Sequence, residues 1–219
     1  MSGNDHGRVT PTPLRGRLVF AAALAGTLGL AASPDAPLPR PMRDHTIIAV
    51  APMGATSPTA VSLITPALRS AFGGQVVLAP SLPLPSPAYD PVREQTNSTA
   101  LLDVLARAKR PEWERLLGIA EVDLFVPELN FVFGEGDAER GVGVFSLHRL
   151  RPGPSGREDV LARRAATEAV HELGHSFGLG HCRDPRCVMW FSNSLAETDR
   201  KGTAFCAVHA AELSRRRAQ

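Results

Sequence analysis

The sequence predicts an α/β (α+β) fold with a mixed twisted sheet, one long histidine-bearing helix and a small irregular C-terminal lobe that ends in a helix. Three observations support this prediction. An apolar, β-branched run is followed by an amphipathic helix and a second apolar run. Three further strand patterns precede a helix of about 20 residues. Beyond Gly178, regular patterns stop until about Phe205.

The first strand–helix–strand unit occupies residues 46–79. TIIAVAPMG at 46–54 has the continuous β-branched character of a buried strand, and QVVLA at 75–79 repeats it. Ser-Pro opens a helix over 57–72. Short links between these elements predict a parallel strand pair with a right-handed crossover. The helix turns its apolar residues to one face: Val61, Ile64, Leu68 and Phe72.

The middle of the chain begins with an extended loop, because five prolines lie between residues 80 and 91. A helix is predicted over 98–109, followed by a short turn at 112–117. The leucines expected to face inward are Leu101, Leu102 and Leu105.

Strands are predicted at 121–126, 130–134 and 141–147, with GEGDAERG as a polar turn between the last two. Ser155 and Glu158 form a capping box, which predicts the start of the long helix. A final helix is expected from about 205 to 216.

The N-terminal region differs from the rest of the chain. Arginines at 8, 15 and 17 precede an apolar run at 18–32, which is shorter than the roughly 20 residues that span a bilayer. We therefore expect residues 1–32 to be a signal peptide and the protein to be secreted or periplasmic. A buried helix, an uncleaved anchor or a cytoplasmic chain are the alternatives. Residues 33–44 form a proline-rich linker, and 45–219 form the main domain.

Composition limits the classes of partner. A formal net charge of +2 over 219 residues gives no indication of nucleic-acid binding. The apolar fraction of 43% is sufficient for a core. We expect a monomer without stable membrane association once the N-terminal run is removed.

The most informative stretch is HELGHSFGLGHCRDPRCVM, residues 171–189. His171 and His175 lie one helical turn apart on the same face, so both imidazoles can reach one metal ion. Glu172 points to a different side of the helix and can reach a water beside that metal instead. The alternative is a helix with chance surface histidines.

His181 can join the same metal only if the helix stops. In a continuous helix it would lie about 15 Å from His171 along the axis. Gly178 can end the helix because glycine enters the left-handed conformation at little cost. Three imidazoles with a fourth position open form a catalytic zinc site.

A second ligand set follows at once. Cys182, Cys187, Cys206 and His209 have the residue types and spacing of a structural Cys3His zinc site. A disulfide between Cys182 and Cys187, or three ordinary buried thiols, are the alternatives. We therefore expect two zinc ions per chain, one catalytic and one structural.

These residues resemble the archaemetzincin family, whose pattern is H-E-x-x-H-x-x-G-x-x-H-C-x4-C-x-M followed by C-x-x-C. Every position of the first part matches, whereas His209 stands where the family usually has its last cysteine. Weaker similarity extends the resemblance over about 45–212. It implies a metzincin-like zincin fold with an upper lobe at 45–180 and a zinc-stabilised lower lobe at 181–219. It also implies that Met189 packs beneath the metal as the Met-turn residue.

The predicted activity is hydrolysis of peptide bonds in a peptide or protein substrate. Zinc would activate a water and polarise the scissile carbonyl, while Glu172 acts as general base and passes the proton to the leaving amine. The resemblance also implies that an edge strand, here taken as 141–147, pairs with the substrate. A catalytically silent, zinc-containing peptide-binding protein is one alternative, and a hydrolase of non-peptide amides is another.

Overall fold

The computed structural model describes residues 46–153 and 157–218. The predicted signal peptide, the proline-rich linker and Ser155 of the predicted capping box lie outside these residues. Within the described ranges, no helix has both the length and the apolar character needed to cross a membrane.

The described chain forms eight strands and five α-helices. In chain order the strands are β1 (Ile47–Pro52), β2 (Gln75–Leu78), β3 (Tyr89–Asp90), β4 (Gln95–Asn97), β5 (Arg115–Ala120), β6 (Leu124–Phe125), β7 (Gly134–Asp137) and β8 (Val142–Ser146). The helices are α1 (Val61–Phe72), α2 (Ser98–Ala108), α3 (Glu158–Ser176), α4 (Leu195–Arg200) and α5 (Ala207–Arg217).

The main sheet has the strand order β2-β1-β5-β8-β7. β1 pairs in parallel with β2 and β5, and β5 pairs in parallel with β8. β7 is antiparallel to β8 and forms one edge, so the sheet is mixed, as predicted. A second sheet of β3, β4 and β6 contains short strands only.

The central strand β5 corrects one prediction. Residues 112–117 were expected to form a turn, but Arg115–Ala120 is a strand that is buried from Leu116 onward. Because both faces of this strand are covered, its sequence RLLGIA lacks the alternation that marks a half-buried strand. The pattern therefore resembles the end of a helix as closely as a strand.

The edge strand β7 corrects two further predictions. The sequence predicts a polar turn at 134–137 and places the edge that meets substrate at 141–147. In the structure 134–137 is the edge, and β8 lies inside the sheet between β5 and β7. The glycines of β7 are needed because α3 packs directly against this strand.

Helices cover both faces of the main sheet. α1 and α3 share one apolar core with β1, β5 and β8, while α2 packs in a second core on the opposite face. The inward leucines of α2 and the apolar face of α1 are buried as predicted. Residues after α3 join the first core: Cys187, Val188, Met189 and Leu213.

The short helix α4 was not predicted. Its start carries a variant of the capping box, in which the Ser194 hydroxyl accepts from the Glu197 amide at 3.4 Å and the glutamate bonds the residue before the N-cap. The Glu197 carboxylate accepts from the Asn193 amide at 2.6 Å. The S-x-x-E spacing was therefore a usable signal, although the helix has only six residues.

Candidate metal centre and active site

Three histidines converge at one end of α3. The helix supplies His171 and His175, then ends, and Gly178 adopts a φ of 83°. The chain folds back and brings His181 to the same point, with ring centroids 4.6 to 5.5 Å apart among the three imidazoles. One nitrogen from each ring lies within 4.8 Å of the others.

The donor set fits zinc. Two nitrogens bound tetrahedrally at zinc distances are about 3.4 Å apart, and the Nε2 atoms of His171 and His175 are 3.1 Å apart. The Nδ1 atom of His171 lies 2.7 Å from the Val188 carbonyl, and that of His175 lies 2.8 Å from the Leu179 carbonyl. Because a carbonyl only accepts, Nδ1 of His175 carries the proton and leaves Nε2 free for a metal. Nδ1 of His171 also lies 3.3 Å from the Lys201 ammonium, and the shorter contact with the Val188 carbonyl favours the same tautomer.

The imidazoles are held in the neutral form that metal binding requires. Burial lowers the pKa of His175 to about 4. Burial, followed by the positive charge of Lys201, lowers the pKa of His171 well below its usual value. The pKa of His181 is lowered by the same two causes, with burial the larger.

Glu172 is a residue of α3, and its buried side chain faces the edge strand β7. A Cβ added to Gly134 of that strand would lie 2.5 Å from the Cγ atom of Glu172. Burial raises the pKa of this carboxyl well above its ordinary range, the negative charge of Glu168 adds to the increase, and Lys201 opposes it.

A buried ion pair behind these residues was missed by sequence reasoning. Lys201 Nζ lies 3.2 Å from Glu168 Oε1, and the two side chains are 0% and 2% exposed. The ammonium also donates to the Trp190 carbonyl at 3.2 Å, and Thr198 donates to the carboxylate at 3.0 Å. Glu168 lies one turn before Glu172, but no local pattern marks Lys201 as its partner.

The cleft above the histidines has a volume of about 1190 Å³. One wall is β7, a second is the loop at 126–133, and a third is the segment after Met189. Phe191 stands in this wall with its ring 4.9 Å from that of His181, and it is 42% exposed. The opening is therefore large enough for an extended peptide and partly apolar.

Met189 is fully buried. A Cβ on Gly174 of α3 would lie 2.5 Å from its sulfur atom, so this helix turn and the methionine are in close contact. This contact accords with the expectation that Met189 packs beneath the metal, which stays a prediction.

The second predicted ligand set also comes together. The ligand atoms of Cys182, Cys187, Cys206 and His209 lie within 4.8 Å of one another, and the three cysteines are free thiols. The sulfur atoms of Cys182 and Cys206 are 3.8 Å apart, which matches the spacing of about 3.8 Å between thiolates on one zinc. The backbone amide of His209 is the largest cause, followed by its side chain, of a lowered pKa of Cys206, which falls to about 6.

The family model described as peptidase family M54 matches residues 83–215. The archaemetzincin of Methanopyrus kandleri is 48% identical over 124 residues, which cover 56% of this chain and 68% of that protein. The archaemetzincin of Pyrococcus furiosus is 41% identical over 175 residues, covering 75% and 90% respectively.

Solved structures are similar over most of the chain. The crystal structure of the Methanopyrus kandleri archaemetzincin has a TM-score of 0.72 at 36% identity, covering 81% of this chain and 98% of that chain. The structure of the Archaeoglobus fulgidus archaemetzincin complexed with malonate has a TM-score of 0.66 at 33% identity, covering 76% and 99%.

Proposed function

Because this chain belongs to peptidase family M54, the archaemetzincins, and is a zinc metallopeptidase, we propose that it cleaves peptide bonds with Glu172 as general base. One observation carries the proposal. Three neutral imidazoles and one buried carboxyl meet at the floor of a single cleft.

His171, His175 and His181 are the proposed zinc ligands. Zinc held by these residues would polarise the scissile carbonyl of the substrate and lower the pKa of a bound water to about 7. Glu172 is outside the group of ligand atoms that lie within 4.8 Å of one another in the described residues. Its carboxylate takes a proton from the attacking water and delivers it to the leaving amine nitrogen.

The free edge of β7 is the proposed docking strand for substrate. β7 borders the cleft and pairs with β8 on one side only. An extended peptide added to this edge would be held by its backbone, so binding would depend little on side-chain identity.

We also propose a second, structural zinc on Cys182, Cys187, Cys206 and His209. The support is the spacing of these four groups and the closed character of the set, which leaves no position for substrate.

Glu172→Gln tests the proposed reaction. The amide keeps the shape of the side chain but cannot accept the proton, so turnover of a peptide substrate should fall by about 10²- to 10⁴-fold. Zinc content, measured by elemental analysis, should stay at the wild-type level. Glu139→Gln, in the exposed turn after β7, is the matched control and should keep full activity.

Two outcomes would count against the proposal. Loss of zinc from Glu172→Gln would make the residue a ligand, and full activity would remove its role as base. A zinc-loaded wild-type protein that binds peptides but cleaves none would favour the alternative of a silent peptide-binding protein.

Export remains a proposal from the arginine-flanked apolar run at 18–32. Intact-mass measurement of the protein from its native cells tests it, and a full-length cytoplasmic chain would contradict it.

A further inference from the structure

His209 belongs to the second candidate metal site and also contacts the backbone segment that carries His181. It is on α5, is 7% exposed, and turns Nδ1 toward the thiols of Cys206 at 3.3 Å and Cys187 at 4.0 Å. Its other nitrogen, Nε2, lies 3.1 Å from the Gly180 carbonyl oxygen. Because the carbonyl can only accept, Nε2 carries the proton and Nδ1 presents a lone pair to the thiol cluster.

The carbonyl that His209 contacts belongs to the residue just before His181. In the segment at 179–181 that leads back from α3, two successive carbonyls accept hydrogen bonds from imidazoles. The Leu179 carbonyl contacts His175, and the Gly180 carbonyl contacts His209. Among the hydrogen bonds of residues 46–153 and 157–218, none reaches the backbone of His181 itself. The next backbone anchor is the Cys182 amide, which donates to the Met189 carbonyl at 2.8 Å.

A cysteine at position 209 could not make both contacts. Its single sulfur atom would be used by the metal, and no second polar atom would remain to donate to Gly180. Imidazole has two nitrogens on opposite sides of the ring, so it can bind a metal with one and donate with the other. The residue that departs from the family pattern therefore adds a connection that a fourth cysteine lacks.

We propose that His209 is a positioning residue that couples the structural metal site to His181 through the hydrogen bond from Nε2 to the Gly180 carbonyl. Metal on the thiol cluster orients the imidazole, the imidazole holds the Gly180 peptide, and that peptide sets the direction from which His181 enters the catalytic site. The proposal rests on the two-site assignment made above, but it concerns metal affinity and not turnover.

The variant His209→Cys separates the two roles, since it keeps a metal ligand and removes the donor. Zinc content of the reduced protein should remain two per chain at saturating zinc. The affinity of the catalytic site, measured by chelator competition, should fall by about tenfold or more, the usual effect of losing an outer hydrogen bond. Cobalt substituted into the catalytic site should show an altered visible spectrum.

Val208→Ala is the matched control, because this side chain lies on the same helix and is 68% exposed. This variant should bind zinc at both sites with the affinity of the wild type. If His209→Cys holds both metals with the catalytic affinity of the wild type, the proposed coupling does not exist.

A second measurement covers the case in which His209→Cys loses the structural metal. Nitrogen-15 NMR spectra of the histidine side chains in the zinc-loaded wild-type protein should show that the His209 proton is on Nε2. This proton should exchange slowly with solvent. A proton on Nδ1, or one that exchanges at the solvent rate, would overturn the proposal. None of these readouts depends on peptide cleavage, so a failure of the proposed enzymatic function would be recognised separately.

Discussion

At the scale of single residues, the active site depends on glycines that let other elements approach α3. A Cβ on Gly136 would lie 2.5 Å from the His175 Cβ and 2.6 Å from the Glu172 carbonyl oxygen. On the other side of the helix, Gly174 leaves room for the sulfur of Met189. A real Cβ cannot enter the space at Gly136 unless the backbone moves, because the contacts there involve a main-chain oxygen and the first carbon of a side chain.

Gly136→Ala should therefore push β7 away from α3. We expect a loss of about 1–3 kcal/mol in the free energy of unfolding, as for other overpacked sites. Gly153→Ala, where an added Cβ meets nothing within 4 Å, should change stability little. Denaturant unfolding of both variants at fixed free zinc measures the difference, and equal effects would show that β7 does not depend on this close approach.

At the scale of secondary structure, α3 and α4 are joined by buried charge. Glu168 on α3 pairs with Lys201, the C-cap residue directly after α4. Lys201 also donates a hydrogen bond to the carbonyl of Trp190, the residue after Met189. A second, partly buried pair joins the same helices, where Arg164 bonds Asp199 at 2.7 Å. The chain after Met189 is thus attached to the helix that bears His171 and His175, the proposed zinc ligands.

Lys201→Met should be costly, because it leaves the Glu168 carboxylate buried without its cation. The expected loss is about 3–5 kcal/mol. The double variant Lys201→Met with Glu168→Leu should recover part of this loss, since no unpaired charge remains.

The exposed pair of Arg157 and Asp159 provides the control for these two variants. Their side chains are 81% and 63% exposed, so Arg157→Met should cost less than about 1 kcal/mol. Denaturant unfolding at constant free zinc measures all four proteins. A small effect of Lys201→Met would mean that the buried pair contributes little to holding α4 against α3.

At the scale of the whole molecule, different interactions stabilise the main sheet and the segment at 181–206, which carries most of the proposed metal ligands. β1, β5 and β8 lie between two apolar cores. The segment from 181 to 206 contains one short helix and few backbone hydrogen bonds, although Val188 and Met189 reach the first core. We therefore expect the proposed metal ligands to contribute a larger share of the order of this segment.

Removal of zinc by a chelator should loosen that segment first. In hydrogen exchange, we expect the protection of the Cys182 and Val188 amides, which bond Met189 and Ala204, to fall by at least about tenfold. Amides in β1, β5 and β8 should keep most of their protection. Uniform loss over the whole chain would show instead that the fold and both metal sites form one cooperative unit.

The sequence by itself determined the features that arise from neighbours along the chain. The spacing of His171 and His175 places both on one helical face, and Gly178 identifies where that helix must end. The apolar periodicity of α1 and α2 and the parallel β1–β2 pair follow in the same way. These predictions succeed because helix geometry and glycine conformation depend on local bonds.

Only the tertiary structure decided features that depend on distant neighbours. RLLGIA becomes the central strand because it is covered on both faces, and the glycine-rich GEGD becomes an edge strand because α3 packs against it. Lys201 and Glu168 lie 33 positions apart, and His209 and Gly180 lie 29 apart. Their contacts result from burial and packing of the folded chain, which no spacing of residue types encodes.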